Sequence, residues 1–179
     1  KAYPDRAEQL FSLEADLLSR ADDVPAALLV LNDGVSAFPD SITLLYARSM
    51  AAEQLGDLAT MEQDLRTIIP NHPDNTTALN ALGYTLANRT KRYTEAYELI
   101  SRALELQPDE PAILDSMGWV LYRQGRYEEA LEYLTRAYAE FPDAEVAAHL
   151  GEVLWVSGNT EAATSIWRGA LLRDPEHKV

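Results

Sequence analysis

Few residues of this 179-residue sequence have both the type and the spacing for proton or metal chemistry. The three histidines, His72, His149 and His177, fall in an inter-helix turn, a helix and a terminal tail. A metal centre or catalytic relay needs its ligands on neighbouring turns, as in HExxH, and no such pair occurs. GxSxG and GxxxxGK[ST] strings are also missing. The acidic doublets Asp22-Asp23, Asp109-Glu110 and Glu128-Glu129 lack the alternating oxygen donors around a central glycine that a calcium loop requires. They read instead as solvated helix ends with favourable dipole placement. Cysteine is absent, which removes disulfides, thiolate nucleophiles and cysteine-ligated zinc together. It also fits an oxidising compartment. The expectation is a chain that is not an enzyme, with no catalytic residue, no metal and no cofactor.

Surface charge narrows the partners. Fifteen Lys and Arg stand against 29 Asp and Glu, a net charge of −14. A nucleic-acid binder needs a basic footprint, and anionic lipid headgroups repel an acidic surface. No run of about 18 apolar residues is present, so no direct membrane insertion is expected. The sequence begins Lys1-Ala2-Tyr3 and shows no signal peptide, so a processed chain or a piece of a longer one is expected.

The elements that would position any binding residues are marked by proline. Nine prolines occur in a chain that otherwise reads as helix. An interior proline costs a helix about 3 kcal/mol, so most must sit at boundaries. Pro39, Pro73, Pro108, Pro142 and Pro175 follow one another at intervals of 34, 35, 34 and 33 residues. Pro25 and Pro111 read as helix openers, and Pro70 as a break just before Pro73. Glycine keeps the same phase. Gly83, Gly118 and Gly151 form one column, where two helices cross closely, and Gly56, Gly125 and Gly158 form another, in the turn between them.

A period near 34 with these columns resembles the tetratricopeptide repeat (TPR) family. The unit 111–143 carries Leu114, Met117-Gly118, Leu121, Gly125, Tyr127, Ala130, Leu134, Ala137 and Pro142 at the family's signature positions. The unit before it has one extra residue near Asn88–Arg92, and the unit after it lacks one near Pro142–Ala144. Upstream the pattern fades: Ser49 and Met61 replace the usual Gly and Ala, and Asp22 replaces the turn glycine. The resemblance implies an all-α TPR solenoid, about five antiparallel helix pairs in a right-handed superhelical array. It would run over 1–179 as a single array, with repeats at 8–41, 42–75, 76–110, 111–143 and 144–177.

The expected helices are 6–21 and 25–37, 41–55 and 57–69, 75–88 and 93–106, 111–124 and 127–140, 144–157 and 160–173. The stripe Leu114, Met117, Val120 and Leu121 has helical spacing, and Asp40-Ser41, Asp109 and Asp143 supply N-cap chemistry. Glu176-His177-Lys178-Val179 looks like the start of a further helix. An array without a polar cap leaves an apolar end, so self-association through the C-terminal end is expected.

The first helices of stacked pairs line a concave groove in this family. The glycine phase places Thr43, Tyr46, Met50 and Glu53 toward it, then Asn80, Tyr84, Ala87 and Asn88. The fourth repeat offers Asp115, Trp119, Tyr122 and Arg123, and the fifth Glu145, Ala148, Glu152 and Trp155. The expected partner-binding residues are Tyr46, Met50, Asn80, Tyr84, Asn88, Asp115, Trp119, Tyr122, Arg123, Glu152 and Trp155. Large rings with a polar tip give contact area at low entropy cost. The same rings pack helical cores. Trp167 reads as core, whereas Trp119 and Trp155 fit groove or core equally. The carboxylate clamp of co-chaperone TPRs needs lysines that the groove lacks, Asn80 being its only suggestive residue. Basic, neutral or apolar partner segments therefore fit better than acidic ones.

The strings LGYTLANR, DSMGWVLYR and HLGEVLWVSGN further resemble proteobacterial envelope TPR lipoproteins, in particular pseudomonad adaptors for a periplasmic carboxyl-terminal processing protease. That resemblance implies a scaffold that recruits the protease or delivers its substrates. It also implies a periplasmic location and a lipid anchor outside these residues on the outer membrane. Two other readings stand beside it: a substrate-reading TPR arm of a larger enzyme, since Asn80 and Asn88 resemble an asparagine ladder, and an oligomer-assembly module.

Overall fold

A computed structural model describes residues 4–173, with side chains from Arg6 onward. Pro175 and His177, and the further helix expected after them, lie outside the described residues. Ten α-helices run in order, with no strand among the described residues: α1 (Pro4–Arg20), α2 (Val24–Ala37), α3 (Ile42–Gln54), α4 (Leu58–Asn71), α5 (Thr76–Arg89), α6 (Tyr93–Leu106), α7 (Pro111–Arg123), α8 (Tyr127–Glu140), α9 (Ala144–Val156) and α10 (Thr160–Arg173). They match the expected helices to within a few residues at each end. Odd-numbered helices pack on the even-numbered helix that follows, and α2, α6 and α8 also pack on the next odd one. The chain divides into two compact units, residues 1–78 and 79–179, with the division inside α5.

Turn chemistry sets the hairpins. Gly56, Gly125 and Gly158 adopt φ of 78°, 80° and 88°, and Asp22 takes the same left-handed region at 61°. Aspartate is among the few non-glycine residues that tolerate it. The residue after each returns a backbone bond to the carbonyl five positions back: Asp23 to Leu18, Asp57 to Ala52, Arg126 to Leu121 and Asn159 to Leu154, at 2.8–3.0 Å. This Schellman closure satisfies carbonyls that the helix end would otherwise leave unpaired. The α5–α6 connection carries the extra residue and has no such glycine. There the Thr90 hydroxyl donates to the Leu86 carbonyl at 2.6 Å and accepts from Arg92 N–H at 3.0 Å.

The other glycine column is a set of helix crossings. A Cβ on Gly83 would lie 2.5 Å from Ile100, one on Gly118 2.5 Å from Leu134, and one on Gly151 2.0 Å from Trp167. Trp167, partly buried, thus fills its crossing. Around these crossings the buried residues include Leu82, Leu86, Ile100, Leu114, Leu121 and Leu134 in the second unit, and Leu31, Leu44, Met61, Leu65 and Ile68 in the first. Each such side chain contributes roughly 1.5–3 kcal/mol of burial free energy.

Two sequence expectations need correction. Pro70 does not break the chain: it lies inside α4, which runs on to Asn71 and closes through His72 N–H to the Ile68 carbonyl at 2.9 Å. Pro70 is exposed and in the final turn, where one lost backbone bond is cheap. Asp109 is not a cap either. Glu110 occupies that position without a side-chain bond, while Asp109 accepts from Arg136 at 3.1 Å. Ser41 and Asp143 do cap α3 and α9, accepting from Leu44 N–H at 3.2 Å and Val146 N–H at 2.8 Å. At the chain's outer helices, Leu10, Leu13 and Leu17 of α1 and Leu171 and Leu172 of α10 are exposed.

Candidate functional site

In the second unit, α5, α7 and α9 bring together most of the expected residues. The floor is a buried ion-pairing couple that spans one repeat. His149 Nδ1 on α9 lies 2.9 and 3.0 Å from the two Asp115 carboxylate oxygens on α7, and both side chains are about nine-tenths buried. Burial pulls the His149 pKa down, but the hydrogen bond and charge of Asp115, with Glu145 and Glu152 behind it, carry it above the usual histidine value. Burial pushes Asp115 up, against the opposing pull of His149. Trp119 stacks on the His149 ring at 4.1 Å between centroids, and Tyr84 lies 6.0 Å from the same ring.

Above this floor, two tyrosines hold two glutamates. Tyr84 Oη donates to Glu145 Oε1 at 2.8 Å, from α5 to α9, and Tyr122 Oη donates to Glu152 Oε1 at 2.7 Å, from α7 to α9. Burial, with the Glu152 hydrogen bond behind it, pushes the Tyr122 hydroxyl up to about 12, so it keeps its proton and goes on donating through neutral pH. Arg123 turns toward α5 and α6: it donates to the Asn88 carbonyl at 3.3 Å and Tyr93 Oη at 3.1 Å, and its guanidinium lies 5.3 Å from the Tyr93 ring and 5.9 Å from Trp119. Trp119, Tyr122, Arg123, Tyr127 and Glu152 line a cavity of 260 Å³. Two buried polar atoms in this unit, Trp119 Nε1 and Asn80 Oδ1, have no hydrogen-bond partner.

The placement of the expected residues is therefore uneven. Tyr84, Tyr122, Arg123 and Glu152 are partly or fully open on the face, with Asn88 joined through its carbonyl. Asp115, read as facing the groove, instead lies beneath it, and Trp119, read as groove or core, lies there too, 6% and 7% exposed, because His149 pairs with one and stacks on the other. Trp155 is half exposed and lies against Trp167 at 5.8 Å, outside the cluster. Sequence reasoning set His149 aside as too isolated. Its partner lies 34 residues earlier, one repeat away, and that spacing on equivalent helices is the signal that identifies the pair.

The first unit offers a different surface. A cleft of 840 Å³ between α1 and α3 is lined by Glu8, Ser12, Leu13, Asp16, Arg20, Thr43 and Met50, among others. Tyr46 is partly buried, and burial raises its pKa. Beneath α3 a second buried carboxylate, Asp64, takes two bonds from Arg48 at 2.6 and 2.7 Å, while Arg48 also donates to Asn32 at 3.2 Å. No group of three His, Asp or Glu among the described residues is placed to hold a metal ion. No helix among them is long and apolar enough to cross a membrane.

Comparison with known proteins adds the family. The chain is 56% identical over 149 residues to a TPR repeat-containing protein of Pseudomonas aeruginosa, covering 83% of this chain and 25% of that one. The chain thus spans about a quarter of that relative's length. Among solved structures it resembles a thermophilic TPR protein of Thermus thermophilus, with a TM-score of 0.83 at 19% identity over 94% of this chain and 92% of that one. It resembles PilW, a type IV pilus biogenesis factor, with the same TM-score and identity over 96% and 80%. Two tetratricopeptide repeat models match residues 74–139 and 116–177, together more than half of the sequence, and with the ten-helix architecture they show that this chain belongs to the tetratricopeptide repeat family.

Proposed function

We propose that this chain is a protein-binding scaffold whose α5–α7–α9 face takes a segment of a partner protein. Tetratricopeptide repeats are protein-interaction modules, and the observation that carries the reading here is the Tyr84, Trp119, Tyr122, Arg123, Glu145 and Glu152 cluster. Tyrosine, tryptophan and arginine are the side chains that most often dominate interface energetics. On the resemblance to pseudomonad envelope lipoproteins, and on the 56% identity to a pseudomonad relative, the finer reading is an adaptor. In it, one TPR array within a longer, outer-membrane-anchored protein recruits a periplasmic carboxyl-terminal processing protease or delivers its substrates. The test is capture from a bacterial envelope extract with the wild-type chain beside a Tyr84→Ala/Tyr122→Ala double variant. Partners held by the wild type and lost by the variant are expected. Recovery of the same partners by both would remove the α5–α7–α9 face from the reading.

A second reading, assembly of copies, is favoured by the exposure of Leu171 and Leu172 on α10, 59% and 86%. Light scattering of the chain with and without an added polar capping helix separates it. A mass that falls to the monomer with the cap supports assembly, and a monomer in both forms excludes it.

A further inference from the structure

Six acidic side chains among the described residues are held by cations: Asp16 by Arg20, Asp64 by Arg48, Glu62 by Arg66, Glu95 by Arg92, Glu129 by Arg126 and Asp109 by Arg136. Glu145 and Glu152 differ. Both are exposed, both are oriented by a neutral tyrosine hydroxyl, and neither has a Lys or Arg nitrogen within ion-pair distance among the described residues. A tyrosine hydroxyl fixes a carboxylate in place without neutralising it, and leaves its other lone pairs available. Arg123, which lines the same cavity as Glu152, is turned toward Asn88 and Tyr93, and His149 is taken by Asp115.

The surroundings suit a cation on an aliphatic stem. Tyr122 has the rings of Trp119 and Tyr127 beside it, at 5.1 and 5.8 Å between centroids, and with Glu152 these line the 260 Å³ cavity. Trp119 is already engaged by His149 and Arg123, so Tyr122 and Tyr127 offer ring surface while Glu152 supplies charge. Trp119, more than nine-tenths buried, lines the same cavity, and its buried Nε1–H has no hydrogen-bond partner among the described residues. Glu145 and Glu152 are seven residues apart on α9, two turns, or about 10.5 Å along the helix axis. In a polyproline-II segment, with three residues per turn and a rise of about 3.1 Å each, residues three apart share a face and are separated by about 9 Å.

We propose that the tyrosine-held pair Glu145 and Glu152 is a two-point acceptor for a partner segment that carries two basic side chains three residues apart. This names the ligand class of the face described under Proposed function and rests on that reading. The ammonium or guanidinium groups meet the carboxylates, and the aliphatic stem of the one at Glu152 lies along Tyr122 and Tyr127. Acidic segments are excluded by like charge.

The test uses capped, alanine-based synthetic peptides with one leucine anchor, differing only at the two variable positions: Lys-x-x-Lys, norleucine-x-x-norleucine and Glu-x-x-Glu. Binding to the full chain is followed by NMR or calorimetry at about 0.05 M and about 0.5 M salt. The Lys peptide is expected to bind about tenfold more tightly than the norleucine peptide at low salt, and to lose most of that margin at high salt. Glu145→Gln/Glu152→Gln, which retains an acceptor for each tyrosine, is expected to erase the margin, whereas Glu128→Gln on α8 leaves it unchanged. Circular dichroism melts of both variants establish that they fold. Equal binding of the Lys and norleucine peptides, or a margin that survives the double variant, overturns the basic-segment inference and leaves the binding face standing. Failure of all three peptides to bind even at millimolar concentration overturns both.

Discussion

Each unit buries one carboxylate against a basic side chain on a neighbouring helix, and the two pairs behave differently. Asp64 is bound by Arg48 through two parallel hydrogen bonds, and that bond, above all, raises the Arg48 pKa beyond its ordinary value. An arginine never releases its proton in the working range, so the pair is a fixed fastener. Asp115 is bound by His149, whose pKa stands above the ordinary histidine value and whose proton, unlike that of arginine, can be released. The fixed pair has α3 and α4 around it. The titrating pair lies under the aromatic face, where Tyr84 and Trp119 touch the His149 ring. A proton that histidine can exchange thus lies beneath the aromatic face, and a permanent charge lies away from it.

The sharpest way to break this comparison is Asp64→Ala. It leaves Arg48 largely buried without its main partner and should cost about 3–5 kcal/mol, read as a lower urea midpoint for the first unit. Trp119→Ala comes next. Because Trp119 is 7% exposed, its loss should also cost about 3–5 kcal/mol, and the protection of α7 and α9 amides from hydrogen exchange should fall with it. A melting temperature unchanged by this substitution would return Trp119 to the surface.

A smaller effect separates the pairs by pH. Burial and partner charge leave His149 holding its proton more tightly folded than unfolded, so its stabilisation is present below about pH 6.5 and is lost as pH rises through the folded value. Asp115, also raised, shifts stability in the same direction, since its ionisation in the folded state is disfavoured. Hydrogen exchange between about pH 6 and pH 9, corrected for intrinsic rates, should show α7 and α9 losing protection with rising pH while α3 and α4 hold theirs. An Asp115→Asn/His149→Gln chain should lose that slope. The least effect is expected from Tyr84→Phe, about 0.5–1 kcal/mol, because it removes one exposed hydrogen bond to Glu145 and keeps the ring. A larger loss would mean that this bond holds α5 to α9 structurally.

The fold was legible because its signals are steric and periodic. The positive-φ turns at Gly56, Gly125 and Gly158 and the crossings at Gly83, Gly118 and Gly151 each tolerate almost one residue type, so phase alone located them. Asp22 was legible as the same turn in weaker form. The candidate binding face was less so. Helical phase says which side of α7 a residue occupies, but not how far a neighbour's side chain reaches across it. Asp115 was therefore assigned to the open face although His149 covers it, and Tyr84 gave no sign of bonding to Glu145 two repeats on. Asp109 failed for a similar reason: a long-range bond to Arg136 claimed a side chain that local rules had assigned to a cap.

The three glycine crossings bear on how such chains are recombined. Each notch is cut for one key: Ile100 for Gly83, Leu134 for Gly118 and Trp167 for Gly151. Equal period suggests interchangeable modules, but a copy of α8 grafted in place of α10 would bring a leucine to a notch shaped around an indole, and the reverse graft would force an indole into a space sized for leucine. Duplication can lengthen this array freely only when both helices of a pair travel together. The unit of inheritance is the hairpin, and a cut at the turn glycine would part each lock from its key.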